Sequence, residues 1–330
     1  MELVNSASID AMLKPHAVPS VARSTFQFVS TLALYVTGWI AMLWLLKISY
    51  WLVLLASLPT AGFLVRLFII QHDCGHGSFF RSRRANEIVG GILGILTVTP
   101  YRAWRRRHAA HHASTGNLDD DRSLGSFTIF TVDEYRALSR WHRVWYRIYR
   151  NPFLLFFITA PIHFAILQRF PQTTPATWRA ERRSVHWTNL AVAILFTTLV
   201  LLVGWKRLLL LQLPITIITS AAGMWLFFVQ HQFEKAYWAR QEEWSYHAAS
   251  LYGSTFYDLP SVMHWFTGNI GFHQVHHLNS RIPNYRLKEC LEKHEILNEA
   301  PRLKFFESLR CGAFALWDEK RRMMVSFREA

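Results

Sequence analysis

The stretch that decides the fold is Gln71-His72-Asp73-Cys74-Gly75-His76, where a long apolar run from Ile48 to Ile70 stops and two histidines appear four residues apart. On a helix, residues i and i+4 lie one above the other on the same face. If the apolar run crosses a membrane, His72 and His76 project the same way just beyond its end. Two related sets follow, His108, His111 and His112 in one H-x-x-H-H and His273, His276 and His277 in another. Their spacings of three and four again gather imidazoles on one helical face. Half of the 16 histidines therefore sit in three compact sets, and the expectation is that the chain folds so that these sets meet.

Composition points to one membrane-embedded unit spanning residues 1–330. The chain is 51% hydrophobic and 15% aromatic, with 14 Trp and 24 Phe, and its apolar runs are longer than a soluble core of this size needs. The formal charge of +14 lies between the apolar runs, which suits a membrane surface and gives no reason to expect nucleic acid. Cys74, Cys290 and Cys311 are odd in number and far apart, so they suggest neither a disulfide framework nor a zinc or iron–sulfur spacing. The first 25 residues lack the charged-apolar-small order of a cleaved signal.

Working outward, four runs are long enough to cross roughly 30 Å of hydrocarbon, at about 26–46, 48–70, 187–203 and 208–229. The first two and the last two are each joined by a few residues, which predicts two helical hairpins. Ile88 to Val98 and Phe153 to Leu167 are apolar but short, and read as interfacial, re-entrant or buried elements. The segment 71–186 holds 17 Arg and no Lys against eight acidic residues. By the positive-inside rule, 71–186 and 230–330 form a cytoplasmic helical cap carrying all three histidine sets, with both termini inside. The predicted class is an all-α integral membrane protein.

Neutral imidazole is the commonest metal ligand near neutral pH. Eight histidines without a thiolate partner suit two first-row metals, iron being the natural candidate for oxygen chemistry. Soluble di-iron carboxylate bundles use glutamates together with Glu-x-x-His, and none of the three sets contains a glutamate.

HDCGH with its following GSFF, then HAAHH, then GNIGFHQVHH, resemble the three histidine boxes of the membrane fatty acid desaturases, most of all the bacterial acyl-lipid type. The resemblance covers about residues 35–290. It implies a di-iron centre at the cytoplasmic end of a four-helix stem, with dioxygen and two electrons used to desaturate an acyl chain. Carried over by position, the metal ligands are His72, His76, His108, His111, His112, His273, His276 and His277. A ninth ligand is implied by the same likeness, and His231, in a QHQFE string at the exit of the last crossing, is the residue it selects. Where the coenzyme A-linked branch has an asparagine one turn earlier, this chain has Phe227, and Asn269 is a candidate substitute. Without haem, Cys-cluster or dinucleotide-binding motifs, the chain would draw electrons from an external ferredoxin or cytochrome b5-like donor.

Other readings compete. A membrane hydroxylase or ketolase would use the same iron site, and a metal transporter would place its ligands near the bilayer midplane. Asp73 and the trio Asp119–Asp121 could orient ligating imidazoles, or the trio could be solvated. Arg102 and Arg105 to Arg107 could meet lipid phosphates or an acidic donor, or serve topology alone. His16, His142 and His294 read as solvated, and His163, His186, His247 and His264 as satisfied locally, with His264 the nearest to the site.

Overall fold

The structure, a computed structural model, describes residues 6–120 and 127–329. Asp121 lies outside the described residues. Helix α1 (Ser6–Leu13) precedes α2 (Val21–Leu45) and α3 (Tyr50–His76), followed by α4 (Arg83–Leu96) and α5 (Tyr101–Ser114). Strand β1 (Phe130–Thr131) leads into α6 (Val132–Ala137), α7 (Arg140–Tyr149) and α8 (Ala160–Ala165), and then into α9 (Arg179–Val203) and α10 (Trp205–Val229). The remainder is short: α11 (Tyr246–Tyr252), β2 (Phe256–Asp258), α12 (Ser261–Phe266), α13 (His273–Leu278), α14 (Asn284–Lys293), β3 (Arg302–Lys304), α15 (Phe305–Ser308), β4 (Leu316–Asp318) and β5 (Met323–Val325).

The four long apolar helices are α2, α3, α9 and α10, each of 25 residues or more. They extend past the apolar runs at their polar ends. Helix α2 starts at Val21 because the Ser20 side chain accepts from the Arg23 N–H, satisfying one of the donors a helix start leaves open. Helix α3 continues through His76 and stops at Gly77, whose φ of 69° is the left-handed cap that an L side chain disfavours. Between α9 and α10 only Gly204 intervenes, at φ 84°, so the expected four-residue connection shrinks to one.

Helix α3 is the hub, packing against α2, α4 and α10. Met42, Val53, Leu64, Leu211 and Ile215 form the apolar seam among these helices. Elsewhere the bundle turns large apolar side chains outward, Phe26, Trp44, Trp187 and Leu201 among them, as suits helices that face lipid. Phe153 to Leu167 forms no single straight helix. A π-helical turn, Leu154–Thr159, runs into α8, and α7 meets this segment at a bend of 69°.

The all-α expectation holds for the bulk of the molecule. Five strands of two or three residues were not anticipated. They pair as β1-β4-β5 and β2-β3 and tie 130–131 to 316–317 and 256–258 to 302–304. The aromatic and basic stretch 132–150 forms two helices, α6 and α7. The weak apolar piece is α4, whose Gly90 lies under the Tyr101 ring. A Cβ there would meet the ring at 2.4 Å.

Two of the histidines expected to be solvated are not. His16 is buried and its Nε2 lies 3.1 Å from Nε2 of half-buried His294. The N-terminal segment carries Ile9 and Leu13 into an apolar cluster with Val275, Leu278 and Leu287, and His16 follows them in. His142 is exposed as expected.

Candidate metal centre

Three helix ends and one loop carry the site. Helix α3 brings His72 and His76 on its last turn, α5 brings His108, His111 and His112, α13 brings His273, His276 and His277, and His231 stands just past α10. These nine side chains form two groups. His72, His76, His108, His112 and His276 make one, and His111, His231, His273 and His277 the other, with the ligand atoms of each within 4.8 Å of one another.

Each H-x-x-H-H divides between the groups. From α5, the i,i+4 pair His108 and His112 joins the first group and His111 crosses to the second. From α13, the pair His273 and His277 joins the second and His276 crosses to the first. The intervals of three and four are what a single helical turn needs to face two neighbouring centres. The groups touch where the His112 and His277 rings stack, centroids 4.1 Å apart.

The nitrogens point inward. Nε2 of His231 lies 3.1 Å from Nε2 of His111 and 3.0 Å from Nε2 of His273. Nε2 of His112 lies 3.1 Å from Nε2 of both His108 and His276. His231 Nδ1 donates to the Gly253 carbonyl at 3.0 Å, which leaves Nε2 as a bare lone pair able to satisfy only one proton donor. Nε2 of His76 and of His277 are buried without a protein partner. So many convergent lone pairs with so few protons suit cations better than a hydrogen-bond network.

Burial keeps seven of these rings neutral. It holds His108, His111, His112, His273, His276 and His277 well below the usual histidine range, with neighbouring imidazoles adding to the effect. Burial lowers His231 to about 4, against the small opposite effect of its bond to Gly253. Neutral imidazole is the ligating form.

Asp73 is buried and faces His72, Oδ1 lying 3.3 Å from Nδ1. Its Oδ2 accepts from the Asn284 backbone N–H at 2.7 Å and side-chain amide at 2.8 Å, which ties α14 to the end of α3. Asp119 turns away instead, its oxygens on Arg240 Nη1 at 2.7 Å and the Gln241 N–H at 2.8 Å. Asn269 belongs to neither group and donates to the Asn284 carbonyl at 3.3 Å. Phe227 packs its ring 4.9 Å from that of His111.

Of the other histidines, His264 stacks on Phe272 at 4.8 Å and stays outside both groups. His186 is exposed, and His247 lies 3.5 Å from Asp10. The arginines of α5 pin that helix: Arg102 and Arg105 pair with Glu87, Arg106 pairs with Glu181, and Arg107 donates to Thr174. Two contributors were missed in the sequence. Trp104 stacks on His108 with centroids 4.8 Å apart, and the Gly253 carbonyl fixes the His231 tautomer. Trp104 stands four residues before His108 on the same helix face and was legible. The Gly253 contact was not.

A cavity of about 1130 Å³ opens on the site, with His72, His108 and His273 in its wall. It passes Leu64 and Gly223 and reaches Leu208 and Trp205 at the far end of α10, a distance of about 27 Å along the helix axis. A polar end carries Arg107, Arg169 and Thr174. His163, expected to be satisfied locally, lines this cavity.

Residues 49–304 match the fatty acid desaturase family. A fatty acid desaturase of Bacillus subtilis is 44% identical over 94% of this chain and 88% of its own length. An sn-1 acyl-lipid omega-3 desaturase (ferredoxin) of Synechocystis is 28% identical over 83% of this chain and 75% of its own length. An endoplasmic-reticulum omega-3 fatty acid desaturase of Vigna radiata is 31% identical over 68% of this chain, which spans 60% of that relative. An oxidoreductase built on four long apolar helices with two histidine groups able to bind metal, the chain belongs to the fatty acid desaturase family.

Proposed function

We propose that the nine histidines hold two iron ions, five ligands on one and four on the other, and that the chain introduces a double bond into an acyl chain lying in the cavity. The observation that carries this reading is that both histidine groups border one apolar cavity, His72 and His108 from one and His273 from the other. When bound, the iron pair supplies with dioxygen the oxidising power that an unactivated C–H bond requires and that side-chain acids and bases lack. The donor set, all imidazole with Asp73 behind His72, suits borderline first-row divalent ions.

The protein's own part is to bind, orient and keep dry. Leu64, Leu208 and the open face at Gly223 give the methylenes an apolar bed. Arg107 and Arg169, each with a buried Nε lacking a protein partner, suit the polar end of an acyl lipid. The ligands stand at helix ends beside this bed, whereas a transporter would set them along a path at mid-membrane.

Two electrons come from an external donor, a ferredoxin or a cytochrome b5-like protein, steered by the basic surface. The Synechocystis relative's name, which includes ferredoxin, favours the former. The site and both termini face the cytoplasm in this reading, because the arginines of 71–186 flank the histidines.

Expression of the chain in a host with a simple lipid profile, followed by gas chromatography with double-bond location, tests the reading. A new cis double bond that vanishes in His276→Ala is the expected result. A hydroxy acid in its place would assign the site to a hydroxylase, and metal flux with unchanged lipids would assign it to a transporter.

A further inference from the structure

The sequence spacing of the cysteines gave no sign of a metal site, because the third contributor lies at the other end of the chain. Cys290 stands in the last turn of α14, and His294 follows directly on its end in extended backbone. His16, on the turn that follows α1, meets them from the N-terminal segment, and one donor atom from each residue lies within 4.8 Å of the others.

His16 and His294 approach edge to face, with Nε2 atoms 3.1 Å apart. That separation matches the inward-facing nitrogens of the two histidine groups of the main site. A hydrogen bond between imidazoles would account for the nitrogens alone, but not for a thiol converging on the same point. Cys290 is fully buried within the apolar cluster of α14, so a cation seated between the two imidazoles would bind it as the thiolate, displacing the thiol proton.

We propose that His16, Cys290 and His294 bind one zinc ion, with water completing the coordination beside half-buried His294. Two imidazoles and one thiolate are a donor set for zinc, distinct from the all-nitrogen groups of the main site. The site clasps the N-terminal segment to α14, which is itself joined to α3 through Asn284 and Asp73. α14 and α13 share one apolar cluster, so the clasp braces the helix that bears the third histidine set. None of this depends on the identity of the metals in the main site.

The test uses the full-length chain purified in detergent. Elemental analysis is expected to find one zinc per chain in addition to the iron, lost in His294→Ala with iron unchanged. Substitution with cobalt(II) is expected to give a thiolate-to-metal charge-transfer band that disappears in Cys290→Ser and persists in Cys311→Ser. No cysteine belongs to either histidine group of the main site, so this band reports the clasp alone. Wild-type chain that takes up cobalt with no thiolate band, or zinc content equal in wild type and His294→Ala, would overturn the proposal and leave an imidazole–imidazole hydrogen bond only.

Discussion

His231 gives its Nδ1 proton to the Gly253 carbonyl at 3.0 Å while its Nε2 stands between the Nε2 atoms of His111 and His273. One backbone carbonyl thus decides which nitrogen of a buried ring faces the second group. Replacing His231 with alanine removes one of four donors and leaves the partner rings facing each other. The expected outcome is loss of metal from that group and a fall in desaturation of about 100-fold or more. Iron per chain and the fatty-acid profile measure both. Full iron and full activity in His231→Ala would remove this residue from the ligand set.

Asp73 and Asp119 were both candidates for orienting imidazoles, and the structure separates them. Asp73 is buried with His72 and Asn284, and Asp73→Asn is expected to lower metal affinity or activity by about 10- to 100-fold. Asp119 sits in a half-exposed pair with Arg240, and Asp119→Asn is expected to cost at most about 1 kcal/mol of stability with activity intact. Parallel turnover and thermal-melt measurements would expose an inverted order.

Gly223 lines the cavity and has open space where a Cβ would stand. Gly223→Phe therefore sends a ring into the acyl bed from a Cβ that itself meets nothing. Long-chain product is expected to fall about tenfold or more, with iron content unchanged. Equal product with long and short acyl chains would mean that the substrate lies elsewhere.

Acid is expected to destabilise the metal-free chain. An unfolded histidine takes a proton near 6.5, whereas His231 in the fold stays neutral down to about 4. Between those values the unfolded state binds more protons, so stability falls as the pH drops from about 6.5 toward about 4, by about 1.4 kcal/mol per unit for each such ring. The remaining lowered rings act in the same direction. Melting temperatures taken down this range would be flat if the rings were solvated and unperturbed.

The long helices and the facing of the histidines were legible because both rest on local periodicity. Apolar length picks out α2, α3, α9 and α10, and the intervals 72/76, 108/112 and 273/277 put each pair on one side of a turn. Helix ends were less legible: Arg179 to His186 and Gln71 to His76 continue their helices although their polarity suggests an exit, since helical hydrogen bonds do not stop where hydrophobicity does. Contacts between distant segments left no local trace. Phe130 pairs with Leu316 and His16 meets His294 across 278 residues, and both His16 and His294 read as solvated because each is polar in polar surroundings. The spacing lets α5 and α13 each face two centres, but which of the nine histidines share a centre depends on how α3, α5, α13 and the residue past α10 come together, which no spacing encodes.

The sharing of α5 and α13 between the two groups has a consequence for assembly. Because α5 and α13 each supply both cages, neither cavity for an ion can be shaped while the other is still loose. Filling the first should already arrange most of the nitrogen around the second. If two ions bind as proposed, occupancy of the pair is expected to be all or none, with the one-ion chain a minor species.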